Sequence, residues 1–373
     1  MSAARAAAGA ARAERGLHAA DGPALPDGYT GLSFPWPDPP GAGEAVEVAD
    51  GVLWARLPLP LALDHVNVWF LREPASEGGG WTMVDCGFDT RRTRAIVERL
   101  IAGPLGGGPI ARLLVTHHHP DHIGLAGWLQ SRGAELLTTR TAWLMARMLA
   151  LDVQERPTPE TVAFCRRWGM DPAVLAAREA ERPFNFDDVV APLPVGFTRI
   201  RAGDVLTLGG RRWRVAQGDG HAPEHAVLYE EGGALVLGGD QLLPGISPNL
   251  GLYPTEANGD PVGDWLAACD RLAPLAREDH LVLPGHKMPY RGLPARMASL
   301  RQNHEAALDR LHAHLSEPRT GGECFAPLFK RRVDDTMYGL AFFEAIAHLR
   351  RLHLTGRAER TTRADGVWQF RAT

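Results

Sequence analysis

The stretch THHHPDHIG, residues 116–124, places four histidines and an aspartate within nine positions. His117 and His119 are two residues apart, and in extended chain that spacing turns both side chains to one side. Pro120 then fixes the local backbone and favours a turn, with Asp121 and His122 following it. Imidazole and carboxylate donors leaving one segment together suit borderline divalent metals, zinc first, then iron, cobalt or manganese. A proton relay and a surface loop holding histidines by chance are the alternatives, and H-x-H-x-D-H at the end of an apolar run argues against chance. By the same alternation His118 faces away from its neighbours and is not expected to bind metal.

Positioning such a cluster needs a rigid strand end, and IARLLVT just ahead of it reads as a short buried strand bounded by turn signals. VEVADGVLWARLPL, HVNVWFLRE and GGGWTMVDCG read as earlier strands, and TRRTRAIVERLIAG as a helix ending in glycine. IGLAGWLQSRG then reads as a helix and AELLTT as a strand, so strands and helices alternate. Residues 141–183 look helical throughout, each of three segments opening on Thr or Asp. Strand signals return at 197–240, followed by the helix DPVGDWLAACDRLAPLA and the strand HLVLPGH. From 294 the chain is mainly helical and closes on GVWQFRA, a further strand candidate. The expected organisation is an extended or disordered arm over 1–45, a catalytic domain over 46–290 with a helical insertion at 141–183, and a helical C-terminal region over 291–373.

A net charge of −4 disfavours a general affinity for nucleic acid or anionic membrane. Residues 291–373 carry a local basic surplus, but no aromatic and basic interleaving of the kind that builds a nucleic-acid groove. No apolar run is long enough to span a membrane, and the N-terminus lacks the apolar core of a secretory signal. Cys86, Cys165, Cys269 and Cys324 are scattered without C-x-x-C spacing, which fits a reducing cytoplasm.

Here the sequence resembles the metallo-β-lactamase superfamily, whose H-x-H-x-D-H motif is matched by His117, His119, Asp121 and His122. The resemblance continues in order through GDGHAPEH, LVLGGD and VLPGHKMP, and it implies an αββα sandwich of two mixed sheets with outer helices. By that resemblance one metal would be held by His117, His119 and His221, and a second by Asp121, His122 and His286. Asp240 and a hydroxide would lie between the two ions, taken to be zinc, with iron or manganese as alternatives. Asp85, in TMVDCG, takes the place of a supporting carboxylate, and His225 is expected to steady the site rather than to coordinate. Asp121 is also placed to accept a proton from the attacking water.

The C-terminal region is similar to that of β-lactamase-like members with a winged-helix-like tail. Asp at 240 speaks against the lactamase subclass with a cysteine ligand there, and the stretch after it lacks a glutathione-binding signature. The expected function is metal-dependent hydrolysis of a carboxylic ester, lactone or thioester with a hydrophobic acyl portion. Trp143, Met145, Met148, Phe164, Trp168 and Met170 in the insertion read as an apolar lid or acyl pocket, with His65 and Tyr253 as further pocket candidates. The partner expected is a small-molecule substrate, with a homodimer left open. A metal-dependent endoribonuclease and an iron-containing, non-hydrolytic member are the competing readings.

Overall fold

Strand alternation builds the architecture. In the computed structural model, which describes residues 30–373 apart from 62, 330, 331 and 336, β3 (His65–Arg72) turns Val66, Val68 and Phe70 one way and Trp69 and Leu71 the other. Its neighbours β1 (Val46–Ala49), β2 (Val52–Pro58), β4 (Trp81–Val84), β5 (Ile110–Leu114), β6 (Glu135–Thr139) and β7 (Thr198–Ile200) complete a seven-stranded sheet in sequence order. A second sheet runs β12-β11-β10-β9-β8, from β8 (Val205–Leu208), β9 (Arg211–Gly218), β10 (His225–Glu230), β11 (Leu235–Gly239) and β12 (Leu281–Pro284). Both sheets are mixed: β4 to β7 pair parallel, as do β11 and β12, and the other pairs are antiparallel.

Three apolar clusters fill the gaps between layers. Trp54, Trp69, Leu114, Trp213, Leu228 and Leu283 lie between the sheets. The far face of the first sheet packs against α1 (Arg91–Ala102), α2 (Pro120–Ile123), α3 (Ala126–Gln130) and α4 (Arg140–Leu151). The far face of the second packs against α5 (Pro159–Arg167), α6 (Pro172–Ala180), α7 (Pro261–Leu272), α8 (Leu293–His314) and α9 (Tyr338–Leu354). The order is therefore helix, sheet, sheet, helix, the expected αββα sandwich.

Several local readings change. The three helical segments read over 141–183 are three helices, capped by Thr158 and Asp171 as read and, for the first, by Thr139 instead of Thr141. IGLAGWLQSRG is not one helix: α2 starts at Pro120 and the chain breaks at Gly124 before α3. The predicted strand at 46–59 is two, folded back at Asp50–Gly51 where Gly51 adopts a φ of 68°. The closing strand expected at GVWQFRA is β14 (Trp368–Ala372), but it pairs with an unforeseen β13 (Ala358–Thr362) in a hairpin after α9. Most of the N-terminal arm, residues 1–29, lies outside the described residues, and the rest is anchored where Ser33 and Arg291 exchange backbone hydrogen bonds.

Candidate metal centre

All seven ligand candidates leave strand ends on one edge of the sandwich. His117, His119, Asp121 and His122 follow β5, His221 follows β9, Asp240 follows β11 and His286 follows β12. Two cross-sheet clamps set the register there. The Ala226 amide donates to the Thr116 carbonyl (2.8 Å), and the Asn67 amide donates to the Gly285 carbonyl (2.7 Å). Asn67 is fully buried, accepts from Trp54 Nε1, and donates through its side chain to the carbonyls of Pro284 and Lys287, so the loop carrying His286 is tied from both sides.

Outer hydrogen bonds set which nitrogen of each ring is free. His221 Nδ1 donates to the Asn249 carbonyl (2.9 Å) and His286 Nδ1 to the His65 carbonyl (2.7 Å). A carbonyl can only accept, so both rings carry their proton on Nδ1 and turn the Nε2 lone pair inward. His122 Nδ1 donates to Asp85 Oδ2 (2.8 Å) with the same result. The Thr116 hydroxyl donates to Asp85, so it accepts from His117 Nδ1 (3.0 Å), and His117 Nε2 also faces inward. Asp85 organises this by adopting a left-handed φ of 56°, which lets its two oxygens serve Thr116 and His122 together.

Those inward lone pairs crowd. His119 Nδ1 lies 3.0 Å from both His117 Nε2 and His221 Nε2, three donor atoms with at most one proton to share. His286 Nε2 sits 3.3 Å from oxygens of both Asp121 and Asp240, and His122 Nε2 3.4 Å from Asp240. His122 Nε2 and Asp240 Oδ1 are buried without a hydrogen-bond partner. Orphaned buried lone pairs of this kind are costly unless a cation satisfies them. The groups within metal-ligand reach of one another are His117–His119–His221, His117–His122–Asp240 and Asp121–His122–His286. Borderline divalent metals fit this set of imidazole nitrogens and carboxylate oxygens.

Charge follows the same division. Burial, reinforced by neighbouring imidazoles, holds His117 and His119 well below the usual histidine range, so both are neutral donors. Burial works against the Asp240 carboxylate, but positive charge on His286 and His122, both pushed up by Asp240 and Asp121, outweighs it and holds Asp240 well below the usual carboxylate range; a divalent cation would supply that charge instead and leave both rings as neutral ligands.

His118 stays out of these groups, its Nδ1 buried without a partner and its ring 4.6 Å from that of His119. His225 stacks on His117 at 4.6 Å, and its Nε2 accepts from the Asp240 amide (3.1 Å), which leaves it beside the donors rather than among them. His65 accepts from the Lys287 amide through Nε2, so it braces the His286 loop through both carbonyl and ring.

A cleft of about 3060 Å³ opens over His119, Asp121, His221, Asp240 and His286. Its apolar lining includes Leu61, Leu63, Phe88, Met145, Leu149 and Phe186. Tyr253 lines it as expected, but Trp143, Met148 and Trp168 do not. Trp143 stacks on Phe197 at 4.9 Å, Met148 faces solvent, and Trp168 lies flat on Phe370 at 5.3 Å, held by the C-terminal hairpin. Phe164 and Met170 are likewise buried in the helix layer, whereas Met145 reaches the cleft. Sequence reasoning missed Thr116, Asn249 and the cleft residue Glu344. Only Thr116, adjacent to His117, carried a local signal.

Two face-to-face sheets between helix layers, with histidine and aspartate donors converging at the strand ends, define a metal-binding αββα sandwich enzyme. The chain belongs to the metallo-beta-lactamase superfamily, whose family profile matches residues 61–311. Residues 308–373 match the metallo-beta-lactamase-like C-terminal domain. It is similar to the probable metallo-hydrolase YqjP of Bacillus subtilis strain 168, at 26% identity over 80% of this chain and 91% of that protein. It is also 26% identical to the acyl-coenzyme A thioesterase MBLAC2 of Gallus gallus, over 64% of this chain and 78% of that one. Ribonuclease Z of Mycobacterium sp. strain KMS is 32% identical, over 44% of this chain and 52% of that enzyme. A crystal structure of a beta-lactamase domain protein from Burkholderia ambifaria superposes with a TM-score of 0.85 at 34% identity, covering 93% of this chain and 100% of that one. The protein is thus a metallo-β-lactamase-fold hydrolase. Among the described residues no helix is long and apolar enough to cross a membrane.

Proposed function

We infer that this enzyme hydrolyses an acyl thioester, or a carboxylic ester or lactone of similar shape, at a dinuclear zinc centre. The observation that carries this is the meeting of two features in one cleft: metal donors, and apolar side chains that share its lining with them. An acyl chain would lie along Met145, Leu149 and Phe186 with its carbonyl carbon over the donors. The chicken thioesterase relative supports the thioester among the three.

His117, His119 and His221 would hold one ion, and Asp121, His122 and His286 the other, with Asp240 between them. When bound, such ions acidify water and polarise a carbonyl oxygen. The protein fixes the imidazole tautomers through Asp85, Thr116, Asn249 and His65, so every inward nitrogen but that of His119 is Nε2. Asp121 is the site carboxylate most open to the cleft, with its side chain 17% exposed against 7% for Asp240. That exposure suits it to take a proton from an incoming water and deliver it to the leaving thiolate or alkoxide.

The test is a parallel screen of long-chain acyl thioesters, lactones, β-lactams and RNA on metal-quantified protein. Thioester turnover is expected to exceed the others and to fall by more than about 100-fold in Asp240→Ala, beyond the loss typical of an outer hydrogen-bond partner. RNA cleavage with inert thioesters, or near-normal activity in Asp240→Ala, would overturn the reading.

A further inference from the structure

His122, His117 and His286 are oriented by Asp85, Thr116 and His65, all within the first sheet and the loops that leave it. His221 is oriented differently. Its Nδ1 donates to the carbonyl of Asn249, a residue in the loop after β11, and that loop is docked on the C-terminal helix α9. The Asn249 side chain donates to Glu344 Oε2 (2.8 Å) and to the Leu340 carbonyl (3.3 Å). Three residues on, the Leu252 amide donates to the Phe343 carbonyl (3.1 Å), and the Tyr253 ring packs on Phe343 at 4.9 Å.

We propose that Glu344 is a positioning residue for the metal centre, acting through Asn249 to fix the tautomer and direction of His221, so that the C-terminal region tunes metal affinity. The link runs from the Glu344 carboxyl to the Asn249 side-chain amide by one hydrogen bond, through the covalent frame of Asn249 to its backbone carbonyl, and on to the His221 ring by a second, both bonds of ordinary length. It rests on the reading of His221 as a ligand. Burial pushes the Glu344 carboxyl up to about 8, against the pull of the Asn249 amide, so at neutral pH it is uncharged and accepts as a carbonyl oxygen would. A glutamine side chain offers the same acceptor, and an alanine offers none.

The experiment is a zinc competition titration on the metal-free full chain against a chromophoric chelator, with cobalt(II) absorption spectra taken in parallel. Glu344→Ala and Asn249→Ala are each expected to weaken the His221-containing site by about 10-fold and to alter the cobalt spectrum. Glu344→Gln should stay within about twofold of wild type, and the double alanine variant should lose no more than either single. Unchanged affinities and spectra in the alanine variants would overturn the link, as would fully additive losses, because a helix that merely packs gives neither coupling nor rescue. If Glu344→Ala does not fold, Asn249→Ala, which leaves α9 intact, decides the matter in the same way. A wild-type chain that takes up no zinc or cobalt would instead overturn the metal-centre reading and the link with it.

Discussion

At the residue scale, three consecutive histidines take two different roles, and their partners decide which. His117 and His119 direct nitrogens at His221 and Asp240, whereas His118 has a buried Nδ1 with no partner and belongs to none of the donor groups. His118→Phe, which keeps a flat ring in the same space, should therefore leave zinc affinity within about twofold of wild type. Asp85 donates no atom to the donor groups, yet it holds His122 and Thr116, and through Thr116 also His117. Asp85→Ala should lower zinc affinity by about 10- to 100-fold, the range for outer partners of metal-bound histidines. Both are read by chelator competition. A ranking reversed between the two variants would contradict the assignment.

At the scale of the element, the centre depends on strands ending close enough together that no side chain fits between them. Gly285, just past β12, is such a place: a Cβ there would overlap Asp240 Oδ1 and crowd His122 Cε1. Gly285→Ala should therefore displace Asp240 and cut bound zinc below two equivalents, with an overpacking cost of about 1–3 kcal/mol that leaves the sandwich folded. Metal analysis beside far-ultraviolet circular dichroism checks it, and two equivalents at wild-type affinity would refute it. The donors were legible in the sequence because four of the seven sit in one short motif at the end of an apolar strand. The rest follow downstream strands. The cleft wall was not legible, because helical periodicity says that Trp143 and Trp168 are covered without saying by what. Trp168 is covered by Phe370, across about two hundred residues and in a hairpin whose first strand gave no clear alternation. Met145 lines the cleft as read, joined by Leu149 one turn further along α4, whereas Met148 turns to solvent. The bond from Asn249 to Glu344 spans 95 residues and had no local signature at all.

At the scale of the whole molecule, the layer formed by α7, α8 and α9 carries a pH dependence of its own, which meets the metal centre only through Glu344. His348 Nδ1 donates to the Glu344 carbonyl (2.8 Å), so its Nε2 is the acceptor for His304 Nδ1 at 3.4 Å. Burial pushes His304 down to about 3 and His348 down to about 4, so both stay neutral in the fold while an unfolded chain protonates them near 6.5. Stability from the pair is thus present above about 6.5 and drains away as pH falls toward 4, because the unfolded chain then binds protons that the fold excludes. Glu344 works in the opposite sense. Its folded value of about 8 lies above the unfolded value near 4.3, so its contribution is present below about 4.3 and is lost as pH rises through 8. Two histidines outweigh one carboxyl between about 4.3 and 6.5, and above 6.5 the carboxyl acts alone. The layer should therefore be most stable near pH 6.5, with a loss on the order of 1 kcal/mol per pH unit for each histidine on the acid side. Urea unfolding of the metal-free chain across pH 4.5–8.5 measures this when wild type is compared with a His304→Gln/His348→Gln variant. The variant should lose the acid-side slope and keep the decline above 6.5, and Glu344→Gln should do the reverse; parallel profiles for all three would show that these buried groups titrate as they do in the unfolded chain.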